Sequence, residues 1–356
     1  MTALLSRGDR IVLGGSAAFT VLAGIARYAG WPSVLSFVLA GLAIGVLASL
    51  VGRSVDQLAD RLGAGATGVV QSALGNLPEL FIALFALHAG LIGVVQGAVV
   101  GSILANVLLV LGLAFVAGGL KNGTQRFNGD RARQIALLLL LAVAALAVPT
   151  LTAAIHTPAA GHERALSVIV SVVLLLVFAA SVPASLRRGD DEDAVHVEDM
   201  GEQRWPLGLA VGLLAASGVL AALVSDWFVH ALDPAIKSLG ISQAFAGLVV
   251  VAIAGNAVEN VVGIQLAARN RADHALSVVL NSPLQIALVL APALLLLAPV
   301  VGASGFTLVL PPLLLIALVL AVVVTAFVVY DGESTWLEGL MLLGLYVVIA
   351  ASFWWG

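Results

Sequence analysis

The chain has 356 residues, 61% of them hydrophobic and only 10% charged, with a net charge of −4 and a mean hydropathy of +1.11. A soluble domain carries about 25% charged residues and cannot hide this much apolar surface, so a water-soluble globular protein is excluded. The absence of cysteine removes disulfides, thiolate metal sites and cysteine nucleophiles.

Apolar runs long enough to cross a bilayer need about 20 residues, and breaks at charges, Gly and Pro divide the chain into eleven of them. They cover about 11–29, 33–52, 65–89, 92–119, 134–153, 165–186, 205–229, 242–268, 273–297, 307–330 and 335–355. The first follows Arg7 and Arg10 as a signal peptide would. It is long for a signal segment and lacks a small-x-small cleavage site, so a retained helix is expected. Short turns join most spans. The conspicuous exception is RRGDDEDAVHVEDMGEQR at 187–204.

Lys and Arg in the loops set orientation. With the N-terminus cytoplasmic, Arg27, Arg164 and Lys237 fall outside and the other 13 of the 16 basic residues fall inside. Eleven spans then place the C-terminus outside.

The chain repeats itself. GNLPE at 75–79 recurs as GNAVE at 255–259, and at the same offset of 180 Ser102 of GSILAN meets Ser282 of NSPLQ. GVLASLV at 45–51 resembles GVLAALV at 218–224. Each half therefore reads as five spans, and an odd number places the halves in opposite orientation. Inverted repeats of this kind are typical of secondary transporters, with the site near the midplane. The expected fold is an all-α polytopic membrane protein of eleven transmembrane helices, one extra N-terminal helix (1–32) plus an inverted five-helix repeat (33–186 and 205–356). An acidic cytoplasmic linker (187–204) joins the halves.

Of the twenty acids, only Glu79 and Glu259 lie near span centres, and no Lys or Arg lies at comparable depth. Intramembrane ionisable groups are functional candidates, although a single one can also be a protonated residue bonded to a neighbouring helix. Two in one repeated motif favour function. Two carboxylates without a cationic partner are balanced by two protons or by one divalent cation, so proton and cation compete for one place. That competition is the physical basis of antiport. Asn76, Asn256, Ser102, Ser282, Gln285 and Asn106 offer neutral oxygens suited to calcium. Pro78 and Pro283 each remove a backbone N–H and free the carbonyls of Leu74 and Val279. Asn106 and Gln71 read equally well as polar glue between helices, and Gln96 reads as an interfacial or packing residue.

At these residues the sequence resembles the calcium/proton exchanger family of the cation/calcium antiporter superfamily, along nearly the whole chain. The resemblance runs through SFVLAGLAIGVLASLVG, DQLADRLG, GNLPELFIALFAL, GSILANVLLVLG and GNAVENVVGIQLAARNRADHALSVVLNSPLQIALVLAP. It implies a central cation site where two acidic-motif helices cross. The family's essential glutamates fall on Glu79 and Glu259, with Asn76 and Asn256 beside them, its serines on Ser102 and Ser282, and its glutamine on Gln285. Its acidic stretch between the halves matches Asp190 to Glu202. The chain departs from the family where Leu77–Pro78 replaces a more usual Ala–Thr, where Asn260 replaces a frequent His, and where Pro283–Leu284 replaces two hydroxyl residues.

The acids Asp190, Asp191, Glu192 and Asp193 read either as part of a solvated linker or as regulatory cation contacts, and they lack the spacing of a formed calcium loop. The six histidines lie near span ends or in loops and take no assigned role. The expected function is export of cytoplasmic calcium, or a related divalent cation, in exchange for protons. No cofactor is expected besides the transported calcium and protons, and no catalytic residue. The partners are the divalent cation and the lipid bilayer, with no nucleic acid, and a homo-oligomer is compatible with the sequence. The expected location is the bacterial inner (plasma) membrane. Two alternatives stay open: a sodium-coupled exchanger on the same scaffold, for which more deep acids would be needed, and an intramembrane two-carboxylate enzyme, for which no nucleophile constellation is evident.

Overall fold

The computed structural model describes residues 5–189 and 205–355, with side chains except at 59–73, 182–189 and 257–260. It is built almost wholly of helices. In chain order these are α1 (Arg7–Tyr28), α2 (Ser33–Leu74), α3 (Leu77–His88), α4 (Ile92–Asn122), α5 (Gly129–Ala154) and α6 (Glu163–Gly189). There follow α7 (Leu207–Leu239), α8 (Gln243–Gly255), α9 (Ala257–Ala268), α10 (Ala272–Val301), α11 (Pro312–Val328) and α12 (Trp336–Ser352). Two short strands, β1 (Gln125–Arg126) and β2 (Glu333–Ser334), pair antiparallel. Among the described residues seven helices are long and apolar enough to cross a membrane, and α3, α8, α11 and α12 are shorter apolar helices.

Three helices contain π-helical stretches: Ala105–Val110 in α4, Ala246–Val251 in α8 and Ile286–Leu290 in α10. A π turn carries an extra residue, re-aims the side chains on it, and is frequent at functional sites.

By packing the chain divides into two compact units. One takes Met1–Phe85 and Leu176–Ser238, the other Ala86–Leu175 and Leu239–Gly356, so each draws on both halves of the sequence.

In the first unit α1 packs along α2. Ser6 and Asp9 form a capping box at the start of α1, which satisfies free N–H groups there. Asp9, a span-end acid by sequence, is buried. It accepts from Arg53 of α2 at 2.8 Å and from the Trp205 indole at 3.2 Å, while Gln57 of α2 accepts from the Trp205 backbone N–H at 2.8 Å. At the far end of α1, Tyr28 meets Trp227 edge to face, and Phe37 of α2 stacks on Phe228 of α7 at 4.6 Å. The first unit is thus fastened at both ends of α1.

In the second unit α4 and α8 cross backbone to backbone. A methyl group at Gly101 would lie 2.2 Å from the Leu248 carbonyl oxygen, and one at Gly247 would lie 2.1 Å from that of Val94. Gly112 of α4 and Gly339 of α12 make a similar contact. No side chain fits there, so Gly101→Ala is expected to cost about 3 kcal/mol, the upper end for overpacking. A fall in the thermal midpoint of detergent-solubilised protein, larger than for Gly208→Ala where the space is open, checks this.

Three departures from the expected spans have physical causes. First, α2 runs unbroken for 42 residues, roughly 60 Å at 1.5 Å per residue, through the charges that suggested a loop after 52. Its Val51 and Val55 stay buried, and Arg53 and Gln57 find partners in Asp9 and Trp205. Second, α7 extends ten residues beyond its expected end at 229, to Leu239. Third, α11 begins at Pro312 rather than 307, because Pro311 before a proline is held extended. The non-helical stretch before it is tied down by side chains of three helices. Gln96 donates to the Val309 carbonyl at 2.6 Å, Thr150 accepts from Leu310 N–H at 2.9 Å, and Ser167 accepts from Leu308 N–H at 3.0 Å. These bonds give irregular backbone the partners it needs away from water.

Candidate cation-binding site

The two acidic motifs sit at helix breaks. The expected third span divides at Gly75–Asn76 into the end of α2 and α3, and the eighth divides at Asn256 into α8 and α9. Glycine followed by asparagine explains this locally: neither favours a helix interior, and Asn side chains compete for backbone groups. Pro78 therefore lies in the first turn of α3, where its missing N–H costs nothing, rather than inside a continuous helix. Pro283 does lie inside a helix and leaves the Val279 carbonyl without its usual donor.

In the second unit the motif residues come together. Ser102 on α4, Asn106 in its π stretch, Asn256 at the break and Ser282 on α10 are all buried, none more than 4% exposed. Asn256 is the hub. Its Nδ2 donates to Ser102 Oγ and to the Ala252 carbonyl, both at 3.0 Å. Its Oδ1 accepts from Asn106 Nδ2 at 3.3 Å and from Ser282 Oγ at 3.4 Å. Asn106 Nδ2 also donates to the Ser102 carbonyl at 2.8 Å. Asn106 Oδ1 is buried and, among the described residues, has no hydrogen-bond partner. An unmet buried acceptor costs about 1–3 kcal/mol, and a bound cation would satisfy it. All four side chains are neutral, and four hard oxygens without charge do not offset the desolvation of a dication. The close α4–α8 crossing at Gly101 brings Ser102 up to Asn256.

The remaining expected residues are placed as follows. Glu259 lies in the first turn of α9, three residues after Asn256, but its side chain is outside the described residues. Gln285 is half-buried, one turn after Ser282 where the π stretch of α10 begins. Asn76 and Glu79 belong to the first unit: Asn76 is buried at the break, and Glu79 is half-buried in the first turn of α3 with its Oε2 shielded from solvent. The Asn76 carbonyl accepts from Leu80 N–H at 3.0 Å. An acid in the first turn meets the partly positive end of its helix. Asp190, Asp191, Glu192 and Asp193 lie outside the described residues.

By sequence alone Asn106 reads equally well as helix glue or as a ligand. At the repeat offset it falls on Ile286, so symmetry gave it no support. Its i, i+4 spacing from Ser102 was the available signal.

The family described as sodium/calcium exchanger protein matches residues 32–186 and again 209–355. The chain belongs to this family. It is a family of membrane exchangers, not enzymes. Among relatives, the Ca2+/H+ antiporter of Synechocystis sp. is 34% identical, covering 94% of this chain and 95% of its own. The Ca2+/H+ antiporter ChaA of Bacillus subtilis is 34% identical, covering 91% and 93%. Among solved structures, native YfkE superposes with a TM-score of 0.79 at 32% identity, covering 96% of this chain and 99% of that one.

Proposed function

We propose that this chain is a secondary active antiporter that exports cytoplasmic calcium in exchange for protons, by alternating access at a midplane site built on Glu79 and Glu259. The observation that carries this reading is the buried network of Ser102, Asn106, Asn256 and Ser282 on the helix break that leads into Glu259. It is a set of hard neutral oxygens with one acceptor unmet, and it needs an anion to hold a dication. Relatives aligned over almost the full chain are named as Ca2+/H+ antiporters, which supports the same exchange here.

Counting α3 with the tail of α2 as one broken span, and α8 with α9 as another, gives eleven spans, with the N-terminus cytoplasmic and the C-terminus outside. Several features support an inverted repeat of 33–186 and 205–356 after an extra helix and around the linker 187–204. The family matches each half separately. The breaks at Asn76 and Asn256 are 180 residues apart, and the π stretches ending at Val110 and Leu290 share that offset. Charge balance then gives the cycle. Calcium entering from the cytoplasm displaces the protons that neutralise the two carboxylates, and on the outside two protons return as calcium leaves. Asn76, Asn256, Ser102, Ser282, Gln285 and Asn106 supply oxygens that replace water around the ion.

Everted vesicles or proteoliposomes loaded with a pH dye test this with calcium, magnesium, manganese, sodium and potassium in turn. Calcium is expected to drive proton movement with no sodium present. A result in which calcium moves no protons, while a sodium gradient drives calcium uptake, would replace the proposal with sodium-coupled exchange.

A further inference from the structure

Gln125 lies in the connection after α4, outside every motif. It is only 3% exposed, unusual for a loop glutamine. Its Nε2 donates to the Ala267 carbonyl in the last turn of α9 at 3.0 Å and to Asn270 Oδ1 in the following turn at 2.9 Å. Asn122, the last residue of α4, donates to the same Ala267 carbonyl at 3.3 Å. The end of α9 therefore meets side-chain donors from the last residue of α4 and from the connection after it. Asn270 is held at a φ of 59°, a left-handed turn that Asn tolerates. Gly118 of α4 makes room for this arrangement, since a methyl group there would lie 1.8 Å from Gln125 Oε1.

Helix α9 is thus tied to α4 at both ends. At its start, Asn256 bonds Ser102 and Asn106; at its finish, Ala267 and Asn270 bond Gln125 and Asn122. Glu259 lies between the two ties. A helix behaves as a stiff rod at 1.5 Å per residue, so a shift at Ala267 carries to Asn256 and Glu259. We propose that Gln125 is a positioning residue for cation binding: it sets the axial register of α9 against α4 and so holds Asn256, and the backbone of Glu259, at the site. Gln125 touches no ion itself. This rests on the reading that Asn256 and Glu259 bind the transported cation.

The test uses the full-length protein in proteoliposomes and reads the KM for calcium separately from kcat. Gln125→Glu keeps the shape but replaces both donated hydrogen bonds with repulsion from a carbonyl and an amide oxygen. It is expected to raise the KM for calcium about fivefold, less than the roughly 10–100-fold cost of losing an outer-shell partner because Gln125 acts from the far end of α9, with kcat within about twofold. Gly118→Ala, which pushes the carboxamide aside while leaving Gln125 in the sequence, is expected to do the same and decides the matter where Gln125→Glu fails to fold. Arg126→Ala, which removes the neighbouring exposed ion pair to Glu333, is expected to leave KM unchanged. An unaltered KM in both Gln125→Glu and Gly118→Ala overturns the proposal, as does a loss confined to kcat. Failure of the underlying site looks different: exchange would then survive Glu259→Gln.

Discussion

Glu79→Gln and Glu259→Gln are each expected to abolish calcium-driven proton movement while leaving the protein folded. Glutamine has the shape of a protonated glutamate, so the variant keeps the packing of the proton-loaded state and its thermal midpoint should change little. What it cannot do is become an anion. Removing one partner of a buried charge pair costs about 3–5 kcal/mol, and at about 1.4 kcal/mol per tenfold that is a loss of about two to three and a half orders of magnitude in calcium affinity. The remaining carboxylate still needs only one proton, so coupling fails as well as binding. Either variant alone should silence exchange, and the double variant should be no worse. Exchange retained at even a tenth of the wild-type rate in either single variant would remove the glutamates from the site.

Much of this architecture is legible in the sequence for a definite reason. Hydrocarbon tolerates so few polar groups that every deep one is conspicuous, and a motif that recurs at a fixed offset stands out against apolar surroundings. Thus the meeting of Ser102, Asn256 and Ser282 in one network follows from GNLPE, GNAVE and the serines beyond them, whereas the helix breaks at Asn76 and Asn256 cut spans that their apolar surroundings make look continuous. Other features have no local signature. The π stretches ANVLLV and IALVL carry no Gly, Pro or charge that would mark them off from the helix around them. That is why Asn106, carried on one of them, was readable only as glue or ligand. The unbroken α2 was obscured because Arg53 and Gln57 look like loop residues until Asp9 and Trp205, far away in sequence, supply their partners. Gln125 was invisible for the same reason: β1 pairs with a strand more than 200 residues distant, and its side chain caps a helix from the other half of the chain.

The network itself predicts an order of effects that a simple count of oxygens would not. Asn256 takes part in four of the five hydrogen bonds described above for the cluster, so Asn256→Ala strips partners from Ser102, Asn106 and Ser282 at once. Each orphaned buried group costs about 1–3 kcal/mol, divided between folding and the alignment of the remaining oxygens. The KM for calcium is expected to rise about thirtyfold, within the 10–100-fold range for losing an oriented partner at a metal site. Ser282→Ala removes the donor to Asn256 Oδ1 at 3.4 Å, and Asn256 Oδ1 keeps Asn106; its KM should rise about threefold. Ser102→Ala should fall between, because it costs Asn256 one of two donated bonds. Stability and binding separate by measuring the thermal midpoint with and without saturating calcium, since a ligand stabilises only the folded state that binds it. The calcium-induced rise should shrink in the same order, Asn256 most and Ser282 least. Equal effects at the three positions would mean independent ligands with no hub, and the geometry around Asn256 would then be packing alone.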